Sequence, residues 1–394
     1  MNTRFARFLR ACTFLIASSA VARSQIVAGP ISNSAGSGTW YIDVASGDRV
    51  LLCDSGSSAI AVDDAGGRVF IAQGATLERW NYGGAVNSAV TLGTVLRAGG
   101  GVLEISGLAF GGGRLFASVA AVPSIYEISL ATLVATPFAV SAQHSGVEGL
   151  SFDASSGMFY ASEKVSAGGG YAGNVYSLDL LGTGAVTFLA QLPGIVDTAC
   201  VGNGVVYAMA EVGGAISTYD LATGVFDADA LIAPWPYGVF AAGSEYAPSL
   251  VPPASPRIYC HATGPVQCAA VLTTTGAPSA SAGSGFLIHH QRLFPAALVH
   301  PHFSLTGRAQ LPFQSGLRCV TGQAFRLAPV LTNAGQPYCT QSLALDFNAV
   351  IASGANPGLV VGQTVWYQAT VLPPATVVPR KLGFTSGVEF TIAP

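Results

Sequence analysis

The chain has 394 residues, half of them apolar and only 9% charged, with 48 Gly. That is enough material for a large core and two domains, and it is not the composition of a disordered chain. Only two of the 17 basic residues are lysines, Lys164 and Lys381, and the formal charge is −3. Nucleic acid is therefore excluded as an expected partner, because phosphate binding needs concentrated positive charge.

Residues 1–24 read as a signal peptide. Arg4, Arg7 and Arg10 form the charged start, Ala11 to Ala22 the apolar stretch, and Ala20-Val21-Ala22 a small-residue cleavage site. The apolar run falls short of the ~20 residues a membrane span needs, and Cys12 lacks a lipidation context. Cleavage directly after Ala22 would leave 14 of the 17 basic residues against 20 acidic ones, a mature charge of about −6. The expected location is secreted or extracytoplasmic, in a periplasm or at a cell surface, with no membrane span after removal of the leader. Six cysteines remain, a number compatible with disulfides in an exported protein.

A repeat follows. Ser58-Ala-Ile-Ala-Val62, Ser106-Gly-Leu-Ala-Phe110, Glu148-Gly-Leu-Ser-Phe152 and Asp197-Thr-Ala-Cys-Val201 are near copies, and Tyr237-Gly-Val-Phe-Ala241 is a fainter fifth. Their last residues lie 48, 42, 49 and 40 positions apart. A period of roughly 45 residues built from short strands is the pattern of a β-propeller with one unit per blade. In each copy large and small residues alternate, as strand geometry requires, and the small face lets neighbouring strands approach. Tight turns follow (Asp63-Asp64-Ala65-Gly66-Gly67, Gly111-Gly112-Gly113, Asp153 to Gly157, Gly202-Asn203-Gly204), then second strands at Arg68–Ala72, Arg114–Ala117, Met158–Ala161 and Val205–Ala208. Third strands end in Val175 to Leu180 and Ile216 to Leu221. Asp179 and Asp220, with Asp43 near the N-terminus, recur at the following turn, either as repeated ligand contacts or, more simply, as Asx turns bonding their own backbone. Trp40 to Leu52 repeats the same third-and-fourth-strand phrase. The expectation is a propeller over residues 38–248 with five blades, or six if a degenerate copy is present. The N-terminus would supply the third and fourth strands of a blade whose first two lie near Tyr237 and Tyr246. Sharing a blade between both ends closes the ring and protects its edges.

From Pro248 the repeat stops. Residues 249–257 form a Pro-rich linker, and residues 258–394 read as a second all-β, sandwich-like domain of short strands and Gly/Pro turns. Cys260 and Cys268 flank a Gly264-Pro265 turn, a spacing that a hairpin can bring within disulfide distance. Cys319 and Cys339 would then form the other bond, closing a loop worth roughly 3 kcal/mol. Cys53 and Cys200 are expected to stay unbonded.

The second domain resembles a C-terminal domain found on many secreted planctomycete proteins of unknown function. The resemblance is carried by Tyr259-Cys260, Cys268, Ser279, Ser284-Gly285-Phe286, Gly307-Arg308-Ala309, Pro312-Phe313, Gly316-Leu317, Cys319-Val320, Cys339, Asp346-Phe347-Asn348, Trp366 and Val388-Glu389-Phe390. It departs from that family at Ala393, where a cysteine is usual, and at Trp366-Tyr367-Gln368-Ala369, where the family has a Trp-Trp-Gly-Arg-Asp-like stretch. It implies a fold and no activity.

Two places could carry chemistry. His289, His290, His300 and His302 fall within fourteen residues. If the chain turns between Arg292 and Leu298, a hairpin could gather two or three imidazoles into a zinc or copper site. The simpler reading is a wettable hairpin without a ligand, since no carboxylate or thiol stands nearby. The other place is the start of the innermost strands, where Ser58, Ser106, Glu148, Asp197 and Tyr237 take equivalent positions around a channel mouth. There Glu148 and Asp197 could hold a divalent cation or act on a polar ligand, or merely hydrate the channel. No nucleophile elbow, His-Glu-x-x-His, Walker loop or dinucleotide fingerprint occurs. The favoured function is a non-catalytic binding or surface-interaction scaffold for an unknown glycan, cell-envelope or protein ligand. The alternative is a lactonase- or hydrolase-like propeller enzyme using a metal at the channel mouth.

Overall fold

The computed structural model describes residues 25–394 apart from 31–37, 55, 121, 139, 141–146, 168–169, 194–195, 211–215, 232–240, 254–255, 261–267, 269, 314–315, 336–337 and 378–381. The fold is all-β, with one short helix, Phe347–Ala352, among the described residues. No helix among them is long and apolar enough to cross a membrane.

Four units of four antiparallel strands follow one another along the chain, the second carrying a short fifth strand, Leu96–Arg97, in parallel on its outer edge. Their innermost strands are Ala59–Asp63, Gly107–Gly111, Gly149–Asp153 and Val196–Gly202. Each repeated phrase forms an innermost strand, and each Gly- and Asp-rich turn leads into the second strand at Arg68–Gln73, Arg114–Ser118, Met158–Ala167 or Val205–Ala210. A fifth unit is built from both ends of this region. Its innermost strand is Ala241–Tyr246, followed outward by Gln25–Pro30, Thr39–Asp43 and Arg49–Cys53. The innermost strands adjoin in sequence, and Ala241–Tyr246 lies against Ala59–Asp63.

Burial explains the arrangement. Each pair of adjacent units shares an apolar cluster. Phe70, Phe110 and Leu115 join the first and second units, and Phe116, Phe159 and Leu178 the second and third. Tyr160, Val201 and Val206 join the third and fourth, Ile26, Ile42 and Met209 the fourth and fifth, and Val27, Leu52, Ile71 and Trp80 the fifth and first. The small residues are needed because the strands come close. A Cβ at Gly107 would lie 2.9 Å from the Leu150 backbone nitrogen, and one at Gly243 would lie 2.7 Å from Ala59 Cα.

The fifth unit differs from expectation. The N-terminal region supplies three of its strands, the additional one being Gln25–Pro30, which continues directly from the region read as leader. Tyr237 lies outside the described residues. The fifth phrase in register with the others is Ala242-Gly-Ser-Glu-Tyr246, whose last residue stands 45 positions after Val201. The faint copy at 237–241 is therefore five residues early.

The chain beyond Pro248 continues the fifth sheet. Arg257–Tyr259 pairs with Arg49–Cys53 on one side and Gly387–Thr391 on the other. The sheet then runs through Thr364–Leu372 to Leu298–Ser304. A second sheet of Val271–Thr275, Leu287–Leu293 and Gln341–Asp346 shares a core with it. There Leu272, Phe286 and Ile288 meet Phe303, Tyr367, Val388 and Phe390, joined by Phe347 from the helix and by Trp40 and Leu51 from the fifth unit. Asp346 caps that helix by accepting from Asn348 N at 3.1 Å. The disulfides are Cys260–Cys319 and Cys268–Cys339, not the local pairs expected. They close spans of 59 and 71 residues because strands distant in sequence are neighbours in the fold. Cys53 and Cys200 form no disulfide and are buried between units.

Gly243→Ala should therefore cost about 3 kcal/mol by overpacking, because the obstructing atoms are backbone rather than a movable side chain. Chemical denaturation of the variant beside wild type measures this, and a loss below about 0.5 kcal/mol would contradict the close approach of the two strands.

Candidate functional site

The turns that leave the innermost strands enclose a cavity of about 510 Å³, and all five units contribute to its wall. The first unit gives Val62 to Ala65 and Arg68, the second Phe110 to Gly113, and the third Phe152 to Ser155. The fourth gives Asn203, and the fifth Tyr246 with Pro248 just beyond it. This is the end of the strands opposite the one carrying Ser58, Ser106, Glu148 and Asp197.

Local hydrogen bonds position each polar group. Asp63 accepts from Gly66 N at 2.8 Å and pairs with Arg68 Nε at 2.7 Å. The Arg68 guanidinium also lies 5.8 Å from the Phe110 ring centre. Asp64 accepts from the Tyr82 hydroxyl at 2.7 Å and from Ser249 N at 3.2 Å. Burial, then the bond to Asp64, pushes the Tyr82 hydroxyl above its ordinary range, so it keeps its proton and donates. Asp153 accepts from Ser155 N at 3.0 Å and Ser155 Oγ at 2.8 Å. Asn203 sits at φ +54° in the turn and donates from Nδ2 to the Tyr246 hydroxyl at 2.8 Å, while Tyr246 stacks on Tyr207 with ring centres 6.0 Å apart.

Beneath Phe152 and Tyr246 lies Glu245, 1% exposed. It takes the position held by Ala61, Ala109, Ser151 and Cys200 in the other units, so a long acid stands where the repeat otherwise places a small residue. Its Oε1 accepts from Ser151 Oγ at 2.6 Å and Tyr246 N at 3.1 Å. Its Oε2 is buried without a partner. Burial pushes this carboxyl well above the ordinary range, outweighing those hydrogen bonds, and Asp153 adds to the rise. Sequence reasoning missed Glu245 because the fifth phrase was set out of register.

Two of the five residues expected at a channel mouth are occupied by backbone. Ser58 Oγ donates to Ala72 O at 3.1 Å and accepts from Gly74 N at 3.0 Å. Ser106 Oγ donates to Val147 O at 3.1 Å. Glu148 is half-buried at the start of its strand, its amide donating to Ser162 O. The side chain of Asp197 and all of Tyr237 lie outside the described residues. Asp43 and Asp220 make the simpler Asx turns, accepting from the amides two and three positions on, and Asp179 accepts from Thr183.

The histidines do not gather. His289 and His290 belong to Leu287–Leu293 in one sheet, His300 and His302 to Leu298–Ser304 in the other. The segment between them passes from sheet to sheet instead of forming a hairpin. His290 is wholly buried, its Nε2 2.7 Å from the Tyr367 hydroxyl and its Nδ1 3.3 Å from Leu343 O. Those partners assign the tautomer: Nδ1–H donates to the carbonyl, and neutral Nε2 accepts from the tyrosine. Burial lowers its pKa to about 4. His289 meets Thr275 Oγ1 at 2.8 Å. Among the described residues no three His, Cys, Asp or Glu form a group able to hold a metal ion.

A larger cleft of about 810 Å³ lies where the fifth sheet meets the C-terminal strands, between Asp54, residues 83–87 and Thr274 to Pro278. Its wall is mainly backbone and small apolar side chains, and it lacks the convergent polar groups of the mouth.

No family model and no curated protein matches the sequence, so the planctomycete resemblance gains no support there. Among solved structures, the chain is similar to the nidogen/laminin complex at 16% identity, covering 57% of this chain and 81% of that one with a TM-score of 0.38. It is also similar to a putative 6-phosphogluconolactonase from Bacteroides uniformis at 10% identity, covering 57% and 100% with a TM-score of 0.37. The hydrazine synthase of Kuenenia stuttgartiensis aligns over 83% of this chain and 65% of its own at 10% identity, with a TM-score of 0.30. These neighbours include a binding complex and a lactonase, and scores this low transfer neither role.

Two buried groups give opposite pH dependences. His290 stays neutral when folded, so as pH falls from about 6.5 to 4 only the unfolded state takes up its proton. Stability should fall by about 3 kcal/mol over that window. Denaturant melts at pH 7 and pH 4.5 measure it, and in His290→Leu/Tyr367→Phe this contribution should vanish. Glu245 stays protonated when folded, so its contribution is complete below the ordinary carboxylate range and is lost as pH rises toward its folded pKa. Glu245→Gln should thus gain on wild type as pH rises above the ordinary carboxylate range. A constant difference between the two proteins would mean that Glu245 does not titrate abnormally.

Proposed function

We propose that this protein is an exported, non-catalytic binding scaffold whose ligand site is the axial mouth of a five-bladed β-propeller. In this reading the signal peptide spans 1–24, the closed propeller spans 25–248, and a sandwich-like module at 258–394, related to the secreted planctomycete domain, is fused to its fifth blade through 249–257. The observation that carries the reading is the mouth cavity, to which every unit contributes a turn or strand end. A concave site with aromatic walls and a few convergent polar groups is the usual form of a small-ligand pocket. Asp63 and Asp153 are already engaged in holding their turns, which suits a rigid binding surface better than a set of reacting groups. The metal-dependent lactonase- or hydrolase-like alternative finds no grouped ligand set among the described residues. The two disulfides fit a secreted or cell-surface location.

The test is to fill the mouth. Ala65 and Ala154 both line it and are exposed, so Ala65→Trp and Ala154→Trp add bulk without disturbing the strands. The mature chain should bind to a component of a glycan panel or an isolated cell-envelope fraction, and either substitution should weaken that binding at least tenfold. Undiminished binding by both variants would place the site elsewhere.

A further inference from the structure

The charges lining the mouth do not cancel. Arg68 neutralises Asp63 at 2.7 Å. Asp64 and Asp153, from the first and third units, take hydrogen bonds from uncharged donors, namely the Tyr82 hydroxyl, the Ser249 amide and Ser155. The cavity thus presents two carboxylates with no cationic partner among the described residues, in a concave wall that concentrates their field. Phe110, Phe152 and Tyr246 form its apolar faces, the partners that a cation prefers after carboxylates. Glu245, whose Oε1 accepts from the Phe152 and Tyr246 amides, is buried and held protonated, so it neither adds to nor cancels that charge. The described acidic groups are too dispersed to ligate a metal ion, which leaves a polyatomic cation bound through hydrogen bonds and ring faces.

We infer that the ligand of the axial mouth carries an ammonium group, as a free primary amine or as a lysine side chain of a partner. This rests on the mouth being the binding site. Anionic and neutral ligands would meet the two uncompensated carboxylates without gain.

Calorimetric titration of the mature chain at low salt tests it with four probes: n-butylamine, N-acetyl-lysine methylamide, the same lysine compound acetylated on Nζ, and N-acetyl-glutamate methylamide. The two amines should bind at least tenfold more tightly than the neutral and anionic probes, and added salt should weaken them. Asp64→Asn/Asp153→Asn should lose at least tenfold for the amines, since Asn keeps the turn-holding Oδ1 acceptor and removes the charge. Ala154→Trp should block them too, as a check independent of the turn residues. Tighter binding of the lysine compound than of butylamine points to a protein partner, and the reverse order to a free amine. Neutral or anionic probes that bind as well as the amines, and are blocked by Ala154→Trp, overturn the ammonium inference but leave the mouth as a site. Amine binding that Ala154→Trp leaves unchanged, or no amine binding at all, also overturns it. If the envelope or glycan ligand likewise ignores the plug, the reading of the mouth fails separately.

Discussion

The innermost strands approach until backbone meets backbone. With a Cβ at Gly243 falling 2.7 Å from Ala59 Cα, the fourth position of each phrase is held to Ala, Ser or Cys in four units. The fifth unit breaks this rule with Glu245, whose carboxyl reaches Ser151 of the third unit at 2.6 Å. That bond spans 94 positions of sequence and links the third unit directly to the fifth. Ser151 Oγ in turn accepts from Val201 N at 3.0 Å, so one hydroxyl couples the third, fourth and fifth units.

The same sheet that completes the fifth unit also founds the C-terminal module. Arg49 is nearly buried at this junction, its guanidinium 5.0 Å from the centre of the Trp40 ring and Nη2 3.4 Å from Leu272 O. Burial lowers its pKa to about 9. Its neighbour Asp48 faces the other way and pairs with Arg308 at 2.7 Å, while Arg308 also reaches Glu389 at 2.5 Å and covers the Tyr259 ring. Trp366 Nε1 donates to the same Glu389 oxygen at 2.7 Å. This half-buried network is stronger than a surface ion pair because two carboxylates and one aromatic ring fix Arg308 in place. Arg308, Trp366 and Glu389 are therefore structural here.

What could be read from the sequence was local. The phrases at Ser58, Ser106, Glu148 and Asp197 have a strand's alternation, so innermost strands and their turns were legible, and Asp43 and Asp220 announced Asx turns through the small residues after them. What could not be read depended on partners far along the chain. Cys260 lies eight positions from Cys268, yet it bonds Cys319 because Tyr259 and Cys319 share one buried cluster. His290 and His300 are ten positions apart and belong to different sheets, a choice made by core packing around Tyr367. Gln25–Pro30 carries no phrase of its own and adjoins the segment read as a leader, which hid a whole strand. Glu245 was hidden by register, and an unusual residue cannot stand out in a repeat until the repeat is correctly aligned.

The fifth unit also sets a clock on folding. Ile26 pairs with Tyr246, so the second strand to be used in that sheet is the first to be made, and its inner partner follows about 220 residues later. At ribosomal speeds of about 5–20 residues per second, that is a wait on the order of 10–45 s. Throughout it the strands at Gln25–Pro30 and Thr39–Asp43 present apolar faces, and Gln25–Pro30 an unpaired edge, of the kind that other chains can capture. The first four units can form in order while the closing one cannot. A chain that crosses a membrane before folding avoids this interval, because both segments of the fifth unit are then released into the same compartment before either commits to a partner.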